Sequence, residues 1–162
     1  EAIKIAKKME RYDVFWFEEP ISVDNYRGHQ RLAQSTTIPI ATGENEYTRY
    51  GFRDLIAYNA AEIYNADAQI LGGITEFMQV AALIATYDLH IAPHGDQEIH
   101  IHLVGAIPHG LIVEFYRETV DENRGNLFEE KMQLNHDGFI TIPERPGLGV
   151  TPNYDFLKKY SV

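Results

Sequence analysis

The sequence predicts an α/β fold: an open parallel sheet of five strands joined by helices. Two observations carry that prediction. Glu18, Glu44, Asp67, His94 and Glu114 recur at intervals of 26, 23, 27 and 20 residues, the length of one strand-plus-helix unit. Each sits at or just past the end of a short apolar run, in VFWFEE, IPIATGE, AEIYNAD, LHIAPH and GLIVE. A chain that puts an acid or base at the end of every strand builds a site where strand ends converge, as at the C-terminal rim of a parallel β/α barrel.

Residues 1–12, EAIKIAKKMERY, open the chain as a helix. Strands are expected near 13–17, 38–41, 62–65, 90–93 and 111–114. Between the first two, residues 24–35 follow a Pro20 loop and are polar-amphipathic, and 53–59 form a shorter helical stretch after the second. The clearest helix is 75–87. Its Phe77, Val80, Ala81 and Ile84 fall at helical spacing behind Gly72-Gly73, with Thr75 as the expected N-cap. Strands alternating with helices of this length indicate βαβ units on a parallel sheet.

After Glu114 the alternation stops. MQL and FITI flank a turn, Asn135-His136-Asp137-Gly138, and PERPGLGVTP follows. The expected division is therefore a partial β/α barrel over 1–115 and, over 116–162, a C-terminal hairpin and extended tail packing on the barrel or on a further domain. Five strands would leave two apolar edges open to pairing, and a closed barrel needs eight strands in about 250 residues. The chain is thus expected to be the C-terminal portion of a longer protein, with the preceding part as its first partner.

Composition narrows the function. Apolar residues make up 44% of the chain, enough to bury a core. A net charge of −10 argues against a nucleic-acid partner, because neutralising phosphates takes clustered Lys and Arg. The absence of cysteine excludes disulfides, thiolate zinc sites and cysteine nucleophiles. No run of about 18 apolar residues is present, so no membrane span is expected, and the setting is read as cytoplasmic.

Glu18 and Glu44, projected from adjacent strand ends, repel one another unless a hard cation lies between them. Mg²⁺ suits such an oxygen-only setting, taking one or two carboxylates together with water and substrate oxygens. A lone strand-end Glu is more often a helix cap or a rim salt bridge; the pair, in its Glu-Glu-Pro and Thr-Gly-Glu-Asn settings, favours the metal. Asp67 and His94 end consecutive strands. A carboxylate on one imidazole nitrogen fixes the tautomer and raises the basicity of the other, which makes a general base. Glu114, behind GLIV, sits where desolvation favours a protonated carboxyl that donates to a developing oxyanion; a salt bridge with Arg117 or a helix terminus is the alternative. His100 and His102, two apart, would point to different faces of a helix, which makes a metal pair there unfavourable. His29, His109 and His136 are expected at the surface and His90 in a strand.

FWFEEP, IPIATGEN, NADAQILGGIT, IAPHGDQEIHIH and LIVEFY, in this order, together with PERPGLGV, resemble the C-terminal part of the enolase superfamily, in its mandelate racemase/muconate lactonizing enzyme branch. The resemblance implies strands four to eight of a TIM-type barrel. It implies Glu18 and Glu44 as the fourth- and fifth-strand metal ligands for Mg²⁺, Asp67 and His94 as the dyad of the mandelate racemase-like subgroup, and Glu114 as its eighth-strand acid on the substrate carboxylate. NADAQILGG lacks the lysine that the muconate lactonizing subgroup would place near the sixth strand. A third metal ligand, a second-strand base and a capping domain would all precede Glu1. The chemistry implied by the resemblance is proton abstraction beside a carboxylate, the general mechanism of the superfamily. For this residue set the expected outcome is dehydration of a sugar acid to a 2-keto-3-deoxy acid by a homo-oligomer, with this chain inactive by itself; 2-hydroxyacid racemisation, and a non-catalytic carbohydrate-acid binder or inactive fragment, are the alternatives.

Overall fold

The computed structural model describes residues 1–117 and 120–160; Glu118, Thr119, Ser161 and Val162, all within the expected C-terminal appendage, lie outside the described residues. Four parallel strands, β1 (Phe17–Glu18), β2 (Ile40–Thr42), β3 (Ile63–Tyr64) and β4 (His90–Ile91), stand side by side in chain order. Phe17 pairs with Ile40, Ala41 with Ile63 and Ile63 with His90, so the C-terminal ends of all four strands come out on the same rim. The chain is an α/β domain with a parallel sheet, part of a β/α barrel.

The predicted fifth strand, 111–114, does not form a ladder. Ile91 donates to the His109 carbonyl at 3.1 Å and Leu111 donates to Ile91 at 2.8 Å, which makes one parallel bridge, Ile91 to Gly110. β4 is only two residues long, so no further partner is offered. Leu111 and Ile112 remain 39% and 56% exposed. Apolar content alone does not make a strand; the neighbouring backbone must supply the hydrogen bonds.

Helices cover one face of the sheet: α1 (Ala2–Met9), α2 (Tyr26–Ala33), α3 (Thr48–Ala57), α4 (Ala68–Leu71), α5 (Ile74–Ala85) and α6 (Gln97–Gly105). Asn25 caps α2, its Oδ1 accepting from the Gly28 N–H at 2.9 Å. Helix α3 starts well before the expected 53, with Thr48 in the left-handed region. Helix α5 starts at Ile74 behind Gly73, without a side-chain cap, so Thr75 is an exposed first-turn residue and not the N-cap. Gly73, at φ +98°, makes the turn that a capping side chain would otherwise stabilise. The Phe77, Val80, Ala81 and Ile84 stripe is buried as its spacing requires, and it packs with Phe52 and Leu55 of α3 and Tyr64 of β3 in one core. Burial of each large side chain contributes about 1.5–3 kcal/mol.

In the C-terminal stretch, the turn at Asn135 closes through Asn135 N–H to Phe139 O at 2.8 Å and Gly138 N–H to Asn135 O at 3.0 Å. No ladder extends from it among the described residues, so MQL and FITI are not strands. Phe139 is 69% exposed, and a two-stranded hairpin without an apolar face to bury is marginal. An antiparallel bridge joins Phe128 to Pro152, and His102 Nε2 on α6 meets the Leu148 carbonyl at 2.9 Å, which ties the tail to the sheet domain. His29 is not the surface residue expected; it is fully buried beside Leu32 on the inner face of α2. His109 is half-buried, and His136 is exposed.

Candidate active site

Parallel register decides what the rim holds. Glu18 ends β1, Glu44 follows β2 by way of Gly43, Asp67 follows β3, and His94 follows β4. The loop after His94 carries Gly95, whose N–H donates to Glu114 Oε2 at 2.8 Å, so Glu114 joins the rim without a strand of its own. Glu18, Asn65, His94 and Glu114 line a cavity of about 170 Å³, with Trp16 and Val113 among its walls. Trp16 Nε1 donates to Glu18 Oε2 at 3.0 Å and orients that carboxylate.

The dyad predicted from sequence forms. Asp67, buried at 3% exposure, divides its two oxygens. Oδ1 accepts the Gln69 N–H at 2.7 Å, which caps α4, and Oδ2 lies 2.9 Å from His94 Nδ1. Facing a carboxylate oxygen, Nδ1 must carry the proton, which leaves Nε2 as the basic atom. Nε2 lies 3.8 Å from Glu44 Oε2, outside hydrogen-bond range. Burial opposes the imidazolium, but the Asp67 hydrogen bond and the charges of Glu44, Glu114 and Asp67 outweigh it, so His94 titrates above the ordinary histidine value.

Glu44 is pushed above the usual carboxylate range, first by burial and then by repulsion from Glu19, Glu18 and Glu114, with His94 working the other way. Among the described residues no group of three or more His, Asp and Glu side chains is arranged to hold a metal ion. Glu18 and Glu44 nevertheless offer two hard oxygen donors, the share of a Mg²⁺ shell that a protein commonly supplies. A dication beside them would offset both the burial of the Glu44 charge and its repulsion from Glu18, so this donor set fits Mg²⁺.

Glu114 is held from the loop that carries His94. Its Oε2 accepts the Gly95 N–H at 2.8 Å, and burial, then the nearness of this carboxylate, pushes the Tyr116 hydroxyl up to about 12. Other contributors carry no plain sequence signal. Glu19 turns its carboxylate back to the Thr42 hydroxyl at 3.0 Å. Asn65 donates to the Ala92 carbonyl at 2.9 Å while its Oδ1, buried and without a protein partner, belongs to a side chain lining the cavity. His100 is fully buried behind Asp67. The one available signal is spacing within NADAQ, which puts Asn65 two residues before Asp67 and on the same side of an extended segment.

A parallel sheet whose strand ends gather carboxylates and a carboxylate-held imidazole defines a β/α-barrel rim site. The chain belongs to the enolase C-terminal domain-like family, whose model matches residues 1–156. It is 36% identical over 150 residues to the L-talarate/galactarate dehydratase of Salmonella typhimurium, covering 93% of this chain and 36% of that protein. It is 33% identical over 166 residues to the D-xylonate dehydratase of Haloferax volcanii, covering 99% of this chain and 40% of that protein. The solved L-talarate dehydratase from Polaromonas sp. JS666, complexed with Mg and L-glucarate, superposes with a TM-score of 0.85 at 34% identity, over 97% of this chain and 42% of that one. The chain thus spans well under half the length of these relatives. No helix among the described residues is long and apolar enough to cross a membrane.

Proposed function

We propose that the protein carrying this chain is a Mg²⁺-dependent dehydratase of sugar acids, which converts a 2,3-dihydroxy acid to a 2-keto-3-deoxy acid and water. The observation that carries this reading is His94, held at Nδ1 by Asp67 Oδ2 at 2.9 Å, with its basicity raised, on a cavity shared with Glu18 and Glu114. The relatives support it: two act on sugar acids as dehydratases, and a structural neighbour holds Mg with L-glucarate.

His94 Nε2 removes the proton alpha to the carboxylate, and the electron pair of the broken C–H bond moves into the carboxylate as an enediolate. Asp67 keeps the opposite proton on Nδ1 and stabilises the imidazolium that forms. The imidazolium then returns its proton to the departing β-hydroxyl. As that C–O bond breaks, the enediolate electrons form the carbon–carbon double bond of an enol, which tautomerises to the keto acid. Glu114, its Oε2 held by the Gly95 N–H, lines the same cavity as His94 and faces the bound acid there. Mg²⁺, when bound by Glu18, Glu44 and oxygens from outside this chain, supplies positive charge to the developing dianion. A preceding segment of the same protein belongs to this reading as the source of the third ligand. So do cytoplasmic residence and a homo-oligomer, with exposed Phe15 and Phe139 as surface for a further segment or second copy to cover.

The test incubates the intact protein and Mg²⁺ with a panel of mono- and diacid sugars, with semicarbazone detection of keto acid. Keto acid from at least one sugar acid, lost on chelation and restored by Mg²⁺, is the expected result. Absence of keto product with solvent deuterium entering the α-carbon of a 2-hydroxyacid would assign racemisation instead, and neither signal would leave a binder of carbohydrate acids.

A further inference from the structure

We infer that His100 is a positioning residue for the base: it fixes Asp67 so that one carboxylate oxygen is left for His94. The inference rests on the reading of His94 as the base and goes beyond it to a residue that never meets the substrate cavity.

His100 is fully buried, on α6, between two backbone groups. Its Nδ1 lies 3.0 Å from the Asp96 carbonyl oxygen, and its Nε2 accepts the Ala68 N–H at 3.0 Å. A carbonyl only accepts and an amide N–H only donates, so these partners assign the neutral tautomer with the proton on Nδ1. Burial, the larger influence, also favours the neutral ring.

The Ala68 N–H is the first donor of α4, a group no residue within that helix can satisfy. Its neighbour, the Gln69 N–H, is the donor that pins Asp67 Oδ1 at 2.7 Å. By taking the Ala68 amide, His100 holds the turn that presents Gln69 to Asp67. With Oδ1 pinned, Oδ2 is aimed at His94 Nδ1, 2.9 Å away. His100 Nε2 itself stands 3.5 Å from Asp67 Oδ1 as a lone pair and not as a donor. The carboxylate charge is therefore not drawn off toward α6 and remains directed at His94. Outer partners of this kind set the orientation and basicity of a held histidine.

Two substitutions separate this role from simple core filling. The glutamine carbonyl reaches the place of Nε2 and can accept the Ala68 N–H, whereas the asparagine amide reaches only the place of Nδ1 and retains the Asp96 contact. In the intact protein with Mg²⁺, His100→Asn is expected to lower kcat about 10–100-fold with KM changed less than about twofold, while His100→Gln stays within about fivefold of wild type. On an Asp67→Asn background, His100→Asn should cost less than about twofold more, because the residue acts through Asp67. A second readout needs no substrate: the hydrogen-bonded Nδ1 proton of His94, seen by NMR, should shift or broaden in His100→Asn and persist in His100→Gln. Equal losses in the Asn and Gln variants, a full additional loss on the Asp67→Asn background, or an unmoved His94 Nδ1 proton in His100→Asn would overturn the inference. Should the wild-type protein neither form keto acid nor exchange an α-proton, the functional reading fails, and the NMR comparison still decides the positioning of His94 by itself.

Discussion

Gly95→Ala should disable the base without altering either member of the dyad. Gly95 has φ +94°, and a Cβ built there lies 2.9 Å from Asp67 Oδ2 and 3.4 Å from its Cγ. Contacts that close are not tolerated, so Asp67 must withdraw, and the oxygen it withdraws is the one bonded to His94 Nδ1. Its other oxygen is pinned by Gln69, so the side chain cannot slide along and keep both bonds. A hydrogen bond to a charged group is worth about 1.5–3 kcal/mol. At about 1.4 kcal/mol per factor of ten, kcat should fall roughly 10- to 150-fold. The left-handed backbone adds a separate cost of about 1–3 kcal/mol in stability. Gly138→Ala is the control, since Gly138 sits at φ +81° in the Asn135 turn with nothing within 4 Å of a Cβ, and so carries strain without a clash. The assay is α-carbon deuterium exchange in the intact protein at saturating Mg²⁺ and substrate, beside thermal unfolding of both variants. If Gly95→Ala and Gly138→Ala lose similar stability and both keep wild-type kcat, the Asp67–His94 contact does not set the base.

Asp67→Asn should slow α-proton exchange by about 10²–10⁴-fold while the unfolding temperature stays close to wild type, because Asn caps α4 as well as Asp does; an unchanged exchange rate would demote His94 to a loop histidine. Burial holds His29 below the ordinary histidine value, so its neutral form is the one the fold favours. The sign follows from that: the contribution is complete above the unfolded value of about 6.5 and is lost as pH falls through the lower folded value. Urea unfolding of wild type and His29→Gln should therefore show a stability gap that narrows between about pH 7.5 and about pH 5, and a gap that widens over that window would contradict the assignment.

The strand-end site is legible in the sequence because one residue per unit, at near-constant spacing, is a signal that survives errors in strand boundaries. Glu18, Glu44, Asp67 and His94 all reach the rim although every ladder is shorter than its apolar run. The fifth strand misleads for the reverse reason. GLIV has strand composition, but whether it pairs depends on what stands beside it, and β4 offers only Ile91. The buried histidines escape a sequence reading for two different causes. His29 shares the inner face of α2 with Leu32, three residues on, a spacing that is enough to place it. In α6, Gln97, Glu98, His100, Ile101 and Leu103 are all buried, so the helix has no polar face against which periodicity could be read. Gly95 gives no signal either, since its importance lies in the 2.9 Å to an oxygen 28 positions back in the chain.

Strand order equals chain order here, and that bears on how the site comes into being on the ribosome. Each new strand pairs with the one made just before it, so docking can proceed vectorially as synthesis delivers successive units. Within this chain Glu18, Glu44 and Asp67 are made before His94, whose ring lies beside two of them. The arrival of β4 brings the imidazole, and the next segment brings the glycine amide's partner, Glu114. The base is thus completed only when β4 docks on β3, with the carboxylate that holds its ring already in place.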